Sequence, residues 1–141
     1  MLGRALIHLS LLSTLTLSAQ VPVKITGEYH KLALFPDGTA GGWGDMRDGQ
    51  LGPRSAIPND SGYARAFTPI ALPAKVRDIA AGGRTSYFLL EDGTVMALGF
   101  GTFGQLGCGE ACLKGSETPV KVNGLRNVAA VEACGSLAYA V

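Results

Sequence analysis

The sequence predicts an all-β chain built from a tandem repeat of short antiparallel strands. Three observations predict it. The segment Leu34-Phe-Pro-Asp37-Gly38-Thr39 returns as Leu89-Leu-Glu-Asp92-Gly93-Thr94, and Gly49-Gln50-Leu51-Gly52 returns as Gly104-Gln105-Leu106-Gly107, each pair 55 positions apart without a gap. The composition is glycine-rich and poor in charge, with 20 glycines and 16% charged residues among 141, which suits many strands joined by tight turns. Short apolar runs end at Asp-Gly, a hairpin signal.

The strands follow from these markers. Residues 31–35 and 86–90 are the apolar runs before the Asp-Gly turns, and 39–43 and 94–98 are the return strands. The turn is expected to be type I′, with positive φ at both Asp and Gly. Thr68-Pro69-Ile70 resembles Thr118-Pro119-Val120 at an offset of about 50, which puts edge strands near 69–72 and 119–122. Residues 76–80 and 128–133 supply the next strand of each unit. The stretch from Gly52 to Pro69 is then the longer, variable loop. A period of this size belongs to propellers and solenoids. Repeat one covers about residues 27–81 and repeat two about 82–133, with a third begun at 134–141.

Residues 1–19 stand apart. Arg4 is followed by an apolar stretch over 5–17, and Ser18-Ala19 precede Gln20. This order predicts a secretory signal peptide cleaved after Ser18 or Ala19. A buried amino-terminal helix or an uncleaved anchor is the competing reading. The apolar run is shorter than the roughly 20 residues of a membrane span. The mature chain, residues 20–141, is expected to be secreted, periplasmic or displayed at the cell surface, with no membrane span. Net charge is +1 and no Lys/Arg cluster occurs, so nothing favours nucleic acid as a partner.

Few residues are candidates for chemistry. His30 is the one histidine after the signal segment. It is expected to cap its strand by bonding backbone, because the second repeat carries Thr85 there. Asp37 and Asp92 belong to turns that bond their own backbone, and separate repeats keep them apart. Gln50 and Gln105, each between glycines, are expected to tie several backbone groups together. Gly99-Phe-Gly101-Thr-Phe-Gly104 matches a phosphate-loop spacing but lacks the strand-loop-helix setting that chemistry needs. Cys108, Cys112 and Cys134 are an odd set: Cys108 and Cys112 can close a loop disulfide, stay unpaired, or form half a zinc site lacking two ligands. No cofactor is expected. Tyr63 and Phe67 in the variable loop, and Phe100 and Phe103 before Gly104, are the binding candidates. The alternative for these aromatics is packing between neighbouring units, and Phe103 suits it best.

The constellation Gly27, His30, Ala33-Leu34, Asp37-Gly38, Trp43-Gly44 and Gly49-Gln50-Leu51-Gly52, with Asp92-Gly93, Gly99 and Gly104-Gln105-Leu106-Gly107 in the second copy, resembles the regulator of chromosome condensation repeat family. The resemblance implies a β-propeller with blades of four antiparallel strands, usually seven. The chain would then be a partial propeller: about two blades and the start of a third. Seven blades need roughly 350 residues, so a fragment of a longer protein is expected, with self-assembly into a ring as the alternative. In function, the repeat scaffold, the lack of a catalytic constellation and the signal segment lead to the expectation of an exported non-enzymatic module binding a protein or other extracellular ligand by its loops. The competing expectations are guanine nucleotide exchange on a small GTPase, and an extracellular enzyme whose site lies on other blades.

Overall fold

The computed structural model describes residues 20–56 and 61–141. The signal-peptide expectation for residues 1–19 lies outside the described residues.

Among the described residues, ten strands form two complete four-stranded antiparallel sheets and a hairpin. The first blade contains β1 (Lys24–Gly27), β2 (His30–Leu34), β3 (Ala40–Asp45) and β4 (Tyr63–Pro69). The second contains β5 (Val76–Ala81), β6 (Thr85–Leu90), β7 (Val95–Gly99) and β8 (Ser116–Lys121). β9 (Val131–Cys134) and β10 (Leu137–Ala140) begin the third. Strands pair in sequence order, as a meander requires. Each blade opens one strand earlier than the repeat boundaries read from sequence, so each sequence repeat straddles two blades.

β6 shows why the repeats hold together. All six of its residues are buried, and their period of two serves two different cores. Phe88 and Leu90 join Leu32, Leu34, Met46, Leu51, Ile79 and Leu98 between the first and second blades. Tyr87 and Leu89 join Ala80, Val95, Leu106, Val128 and Val131 between the second blade and the third.

The Asp-Gly turns differ from the expected type I′. Gly38 and Gly93 have φ of 83° and 82°, while Asn127 is the only non-glycine with positive φ among the described residues. The Gly38 amide donates to Phe35 O at 3.0 Å, and the Gly93 amide donates to Leu90 O at 3.0 Å. Pro36-Asp37 and Glu91-Asp92 therefore take the centre of a type I turn, and the glycine follows in the left-handed region. Proline at the first central position favours this choice, since its φ is fixed near −65°. Asp37 Oδ1 accepts from the Thr39 amide at 2.9 Å and its hydroxyl at 2.6 Å. Asp92 repeats this with Thr94 at 2.9 and 2.7 Å. These bonds hold both carboxyls below the usual carboxylate range.

The fourth strands also start earlier than expected. β4 begins at Tyr63 and ends at Pro69, so Tyr63 and Phe67 are strand residues and not loop residues. β8 runs Ser116–Lys121, where 119–122 was expected. A bulge between Gly42 and Gly44, and another between Ala97 and Gly99, offset the pairing and hide this extent from a simple alternation count. β1 was not foreseen at all; its four residues show no apolar run.

Candidate binding face

Antiparallel order sends the connections after the first and third strands of every blade to one side. That side gathers the β1–β2, β5–β6 and β9–β10 turns with the longer β3–β4 and β7–β8 loops. The Asp-Gly turns occupy the opposite side.

On the loop side, charged pairs and aromatic rings sit where the first two blades meet. Arg84, from the β5–β6 turn, donates Nε to Asp48 Oδ2 at 2.6 Å and Nη2 to Asp48 Oδ1 at 2.5 Å. Its guanidinium also lies 4.0 Å from the centre of the Phe100 ring. Phe103 meets Phe100 edge-on at 5.8 Å and is 79% exposed. One arginine thus joins a carboxylate of the first blade to an aromatic of the second. Asp48's bonds push the Arg84 pKa up.

A second pair lies beside it. Arg47 donates Nε and Nη2 to Asp45, with the closest contact 2.6 Å, and stacks 5.4 Å from the Tyr63 ring centre. Arg47's hydrogen bonds hold the buried Asp45 carboxyl below its ordinary range, against the effect of burial. Tyr29, Asp45, Arg47, Asp48 and Arg84 line a cleft of about 340 Å³. Tyr29 is 64% exposed at its rim. Arginines with one edge fixed by a carboxylate are preorganised, and arginine with exposed aromatics is the composition of interface hot spots.

Beneath the face lies a buried polar joint. His30 is fully buried, and its Nε2 is 2.8 Å from the hydroxyl of Ser86 in the next blade. Ser86 donates that hydroxyl to Gln50 O at 2.6 Å. The serine proton is thereby committed, so Nε2 must carry hydrogen and donate to Ser86 Oγ. The expectation that His30 caps backbone is corrected: its partner is a side chain 56 residues away. Burial pushes its pKa down to about 4; Asp45 and, more weakly, the Gly83 backbone act the other way, while nearby Lys31 adds to the lowering. The pair has the atoms of a Ser/His dyad, but here it joins two blades in a closed interior.

The glutamines do less than expected. Gln50 Oε1 accepts from the Asp48 amide at 3.0 Å, and Gln105 Oε1 from the Phe103 amide at 2.9 Å. Each side chain fixes one backbone amide, two residues back. Their main-chain carbonyls carry the inter-strand ties: Ser86 bonds Gln50 O, and the Tyr87 hydroxyl donates to Gln105 O at 2.9 Å. Burial pushes the Tyr87 pKa up to about 12.

The four aromatics chosen from sequence divide. Phe100 and Phe103 stand on the loop side. Phe103 does not follow the alternative of packing between blades: its side chain is exposed beside Phe100. Tyr63 reaches the face through Arg47, whereas Phe67 packs edge-on against Phe35 at 5.4 Å near the far end of β4. The structure adds Tyr29, Arg47, Asp48 and Arg84. A signal for them was present: Arg47-Asp48 immediately precede Gly49, and Arg84 immediately precedes Thr85, the counterpart of His30.

Cys108 and Cys112 form a disulfide with Cα atoms 5.9 Å apart, and Cys134 is free and exposed. Among the described residues, no group of three or more His, Cys, Asp or Glu could hold a metal ion. No helix there is long and apolar enough to cross a membrane.

Two family models match the chain, both described as the regulator of chromosome condensation (RCC1) repeat, over residues 92–141 and 76–105. Among curated relatives, the probable human E3 ubiquitin-protein ligase HERC6 is 33% identical over 117 residues, covering 82% of this chain and 11% of the relative. The probable human E3 ubiquitin-protein ligase HERC3 is 35% identical over 100 residues, covering 71% and 9%. The chain therefore spans about a tenth of the length of these relatives. Among solved structures, Prp20p from Saccharomyces cerevisiae, studied for its binding to Gsp1p and histones, matches with a TM-score of 0.76 and 23% identity. That match covers 86% of this chain and 31% of Prp20p. Human WBSCR16 matches with a TM-score of 0.68 and 26% identity over 82% of this chain and 29% of that one. With its strand order, its paired turns and these matches together, the chain belongs to the regulator of chromosome condensation repeat family of β-propellers.

Proposed function

We propose that this chain is part of an exported, non-enzymatic propeller that binds a protein through the loop side of its first two blades. The observation that carries the reading is Arg84, held between Asp48 and Phe100 with Tyr29 and Phe103 exposed around it. Such a group loses little freedom on binding and offers large apolar contact, which is how hot spots gain affinity. Export rests on the n-region, apolar run and small residues of the first 19 positions, and the Cys108–Cys112 disulfide suits an oxidising compartment.

The test has two arms. Expressed from Met1 in its producing cell, the protein is expected outside the cytoplasm with a new amino terminus at Ala19 or Gln20; an intact Met1 on cytoplasmic protein overturns export. For binding, proteins recovered from the extracellular fraction on the immobilised chain are compared with those on two variants. Tyr29→Ala/Arg84→Ala/Phe103→Ala is expected to lose them, and Lys75→Ala/Lys121→Ala, on the opposite side, to keep them. The reverse pattern overturns the assignment of the face. Binding properties to Gsp1p are described for Prp20p, which motivates the competing exchange-factor reading. Acceleration of nucleotide release from a small GTPase by this chain would favour that reading instead.

A further inference from the structure

We propose that the Cys108–Cys112 disulfide is a thiol–disulfide control point that orders the β7–β8 loop while leaving the blade itself intact. The loop side of the second blade is built from this segment. It leaves β7 at Gly99, presents Phe100 and Phe103, passes through a one-turn 3-10 helix at Glu110–Cys112, and enters β8 at Ser116. Phe100, at its start, donates its amide to Arg84 O at 3.0 Å, and Gln105 O accepts from the Tyr87 hydroxyl at 2.9 Å; beyond Gln105 most of its hydrogen bonds are local. The amides of Gly104, Gly107, Cys112, Leu113 and Gly115 donate to carbonyls three residues back, at 2.8–3.2 Å. Asn123 reaches Gly107 O at 2.8 Å, tying the loop to the strand exit.

The disulfide sits where these short bonds meet. Cys112 is buried against the second core, and Cys108 is partly buried beside it. The Cys112 carbonyl accepts from Gly115 and lies so close to Gly101 that a Cβ there would stand 2.0 Å from it. Fixing Cys112 therefore fixes both ends of the loop, including the backbone next to Phe100. The ring it closes contains few residues, so its effect on the unfolded chain is small and its effect on the loop is the larger one.

The chemistry is thiol–disulfide exchange with a dithiol reductant of the thioredoxin class. A thiolate of the reductant attacks the more accessible Cys108 sulfur, a mixed disulfide forms, and Cys112 leaves as a thiolate that takes a proton. The second reductant thiol then displaces Cys108. Two protein thiols are produced and the reductant ends as its own disulfide.

The molecule contains its own control. In the first blade the matching turn makes the same bonds, Gly49 to Met46 O and Gly52 to Gly49 O, both 3.0 Å, with no cysteine between Gly52 and β4. Hydrogen exchange of the whole chain, oxidised and then treated with dithiothreitol, compares the two loops. Reduction is expected to speed exchange at Cys112, Leu113 and Gly115 at least ~10-fold by releasing local order, with Gly49, Gly52 and the β5–β7 ladder unchanged. Cys108→Ser/Cys112→Ser should show the reduced pattern and ignore dithiothreitol. Exchange that does not change on reduction, or that rises equally at Gly49 and Gly52, overturns the proposal. So does mass spectrometry finding both cysteines as free thiols in protein taken from its natural compartment. None of these readouts depends on a binding partner, so they stand apart from the test of the loop side as a binding face.

Discussion

The first and second blades share their turns and differ in nearly everything the turns position. Both have the Asp-Gly-Thr bend with matched bonds, and both place Gln between glycines. Yet the first blade puts His30 where the second has Thr85, and Ala33 where the second has Phe88. It also pairs Ile25 with Ala33 where the second pairs Ile79 with Phe88, which sets Lys24 of β1 opposite Leu34 and Asp78 of β5 opposite Leu89. The second blade is packed on both faces, and Leu98 is fully buried where Trp43 of the first is only half-buried. The lesson is that the repeated residues make the bends, while the unrepeated ones make the joints between blades.

Exchanging residues between the copies tests this division. Phe88→Ala gives the second blade the first blade's residue and empties the centre of the core between them. It should cost about 3–5 kcal/mol in urea denaturation. A cost under about 1 kcal/mol would show that this core collapses to fill the space.

His30→Thr is the reverse exchange, and its effect depends on pH. In the fold His30 titrates at about 4, against 6.5 for an ordinary histidine. The folded state therefore favours the neutral ring. Its contribution is complete above pH 6.5 and is lost as pH falls from there toward 4, by up to about 3 kcal/mol. The depressed carboxyls of Asp45 and Asp78 lose theirs at lower pH, as they protonate. Denaturation midpoints measured between pH 7 and pH 4 should fall steeply in the wild type and much less in His30→Thr. Parallel curves would exclude His30 as the source.

Asp78→Lys places the first blade's residue in the second at the equivalent register. Asp78 accepts from Lys24 Nζ at 2.7 Å, from its neighbour Ile79 at 2.9 Å and from Val131 in the third blade at 3.0 Å. Burial alone would raise its pKa, but these donors outweigh burial and lower it. Replacing it by a cation facing Lys24 should cost about 2–3 kcal/mol. Thermal melts should show Asp78→Asn losing less than Asp78→Lys. The smallest effect is expected from Phe103→Ala, within about 0.5 kcal/mol of wild type because the ring is exposed. A larger loss would mean that Phe103 supports the blade after all.

The fold was legible in the sequence where a residue's role is local. Asp37-Gly38 and Asp92-Gly93 announce bends because the bend is formed by the residues that encode it. The joints were not legible. Nothing near His30 points to Ser86, and nothing near Asp78 points to Val131, because these partners meet only after the blades stack. The extent of β4 escaped notice because a bulge breaks its alternation, and β1 because its four residues show no apolar run. Of the face, Phe100 and Phe103 were found as loop aromatics. Arg84 was missed because its value comes from Asp48, on another blade.

The two-sided burial of β6 has a consequence for how such a chain can change over time. Residues 86, 88 and 90 receive the preceding blade, and residues 87 and 89 are offered to the following one. A copied unit thus carries both halves of a junction in register, like a brick moulded with its own stud and socket. Duplicating or deleting a whole unit keeps the alternation of the two faces in register at every seam, leaving only the unrepeated joint residues to be refitted. Inserting one residue into β6 would exchange the two surfaces and spoil both seams together.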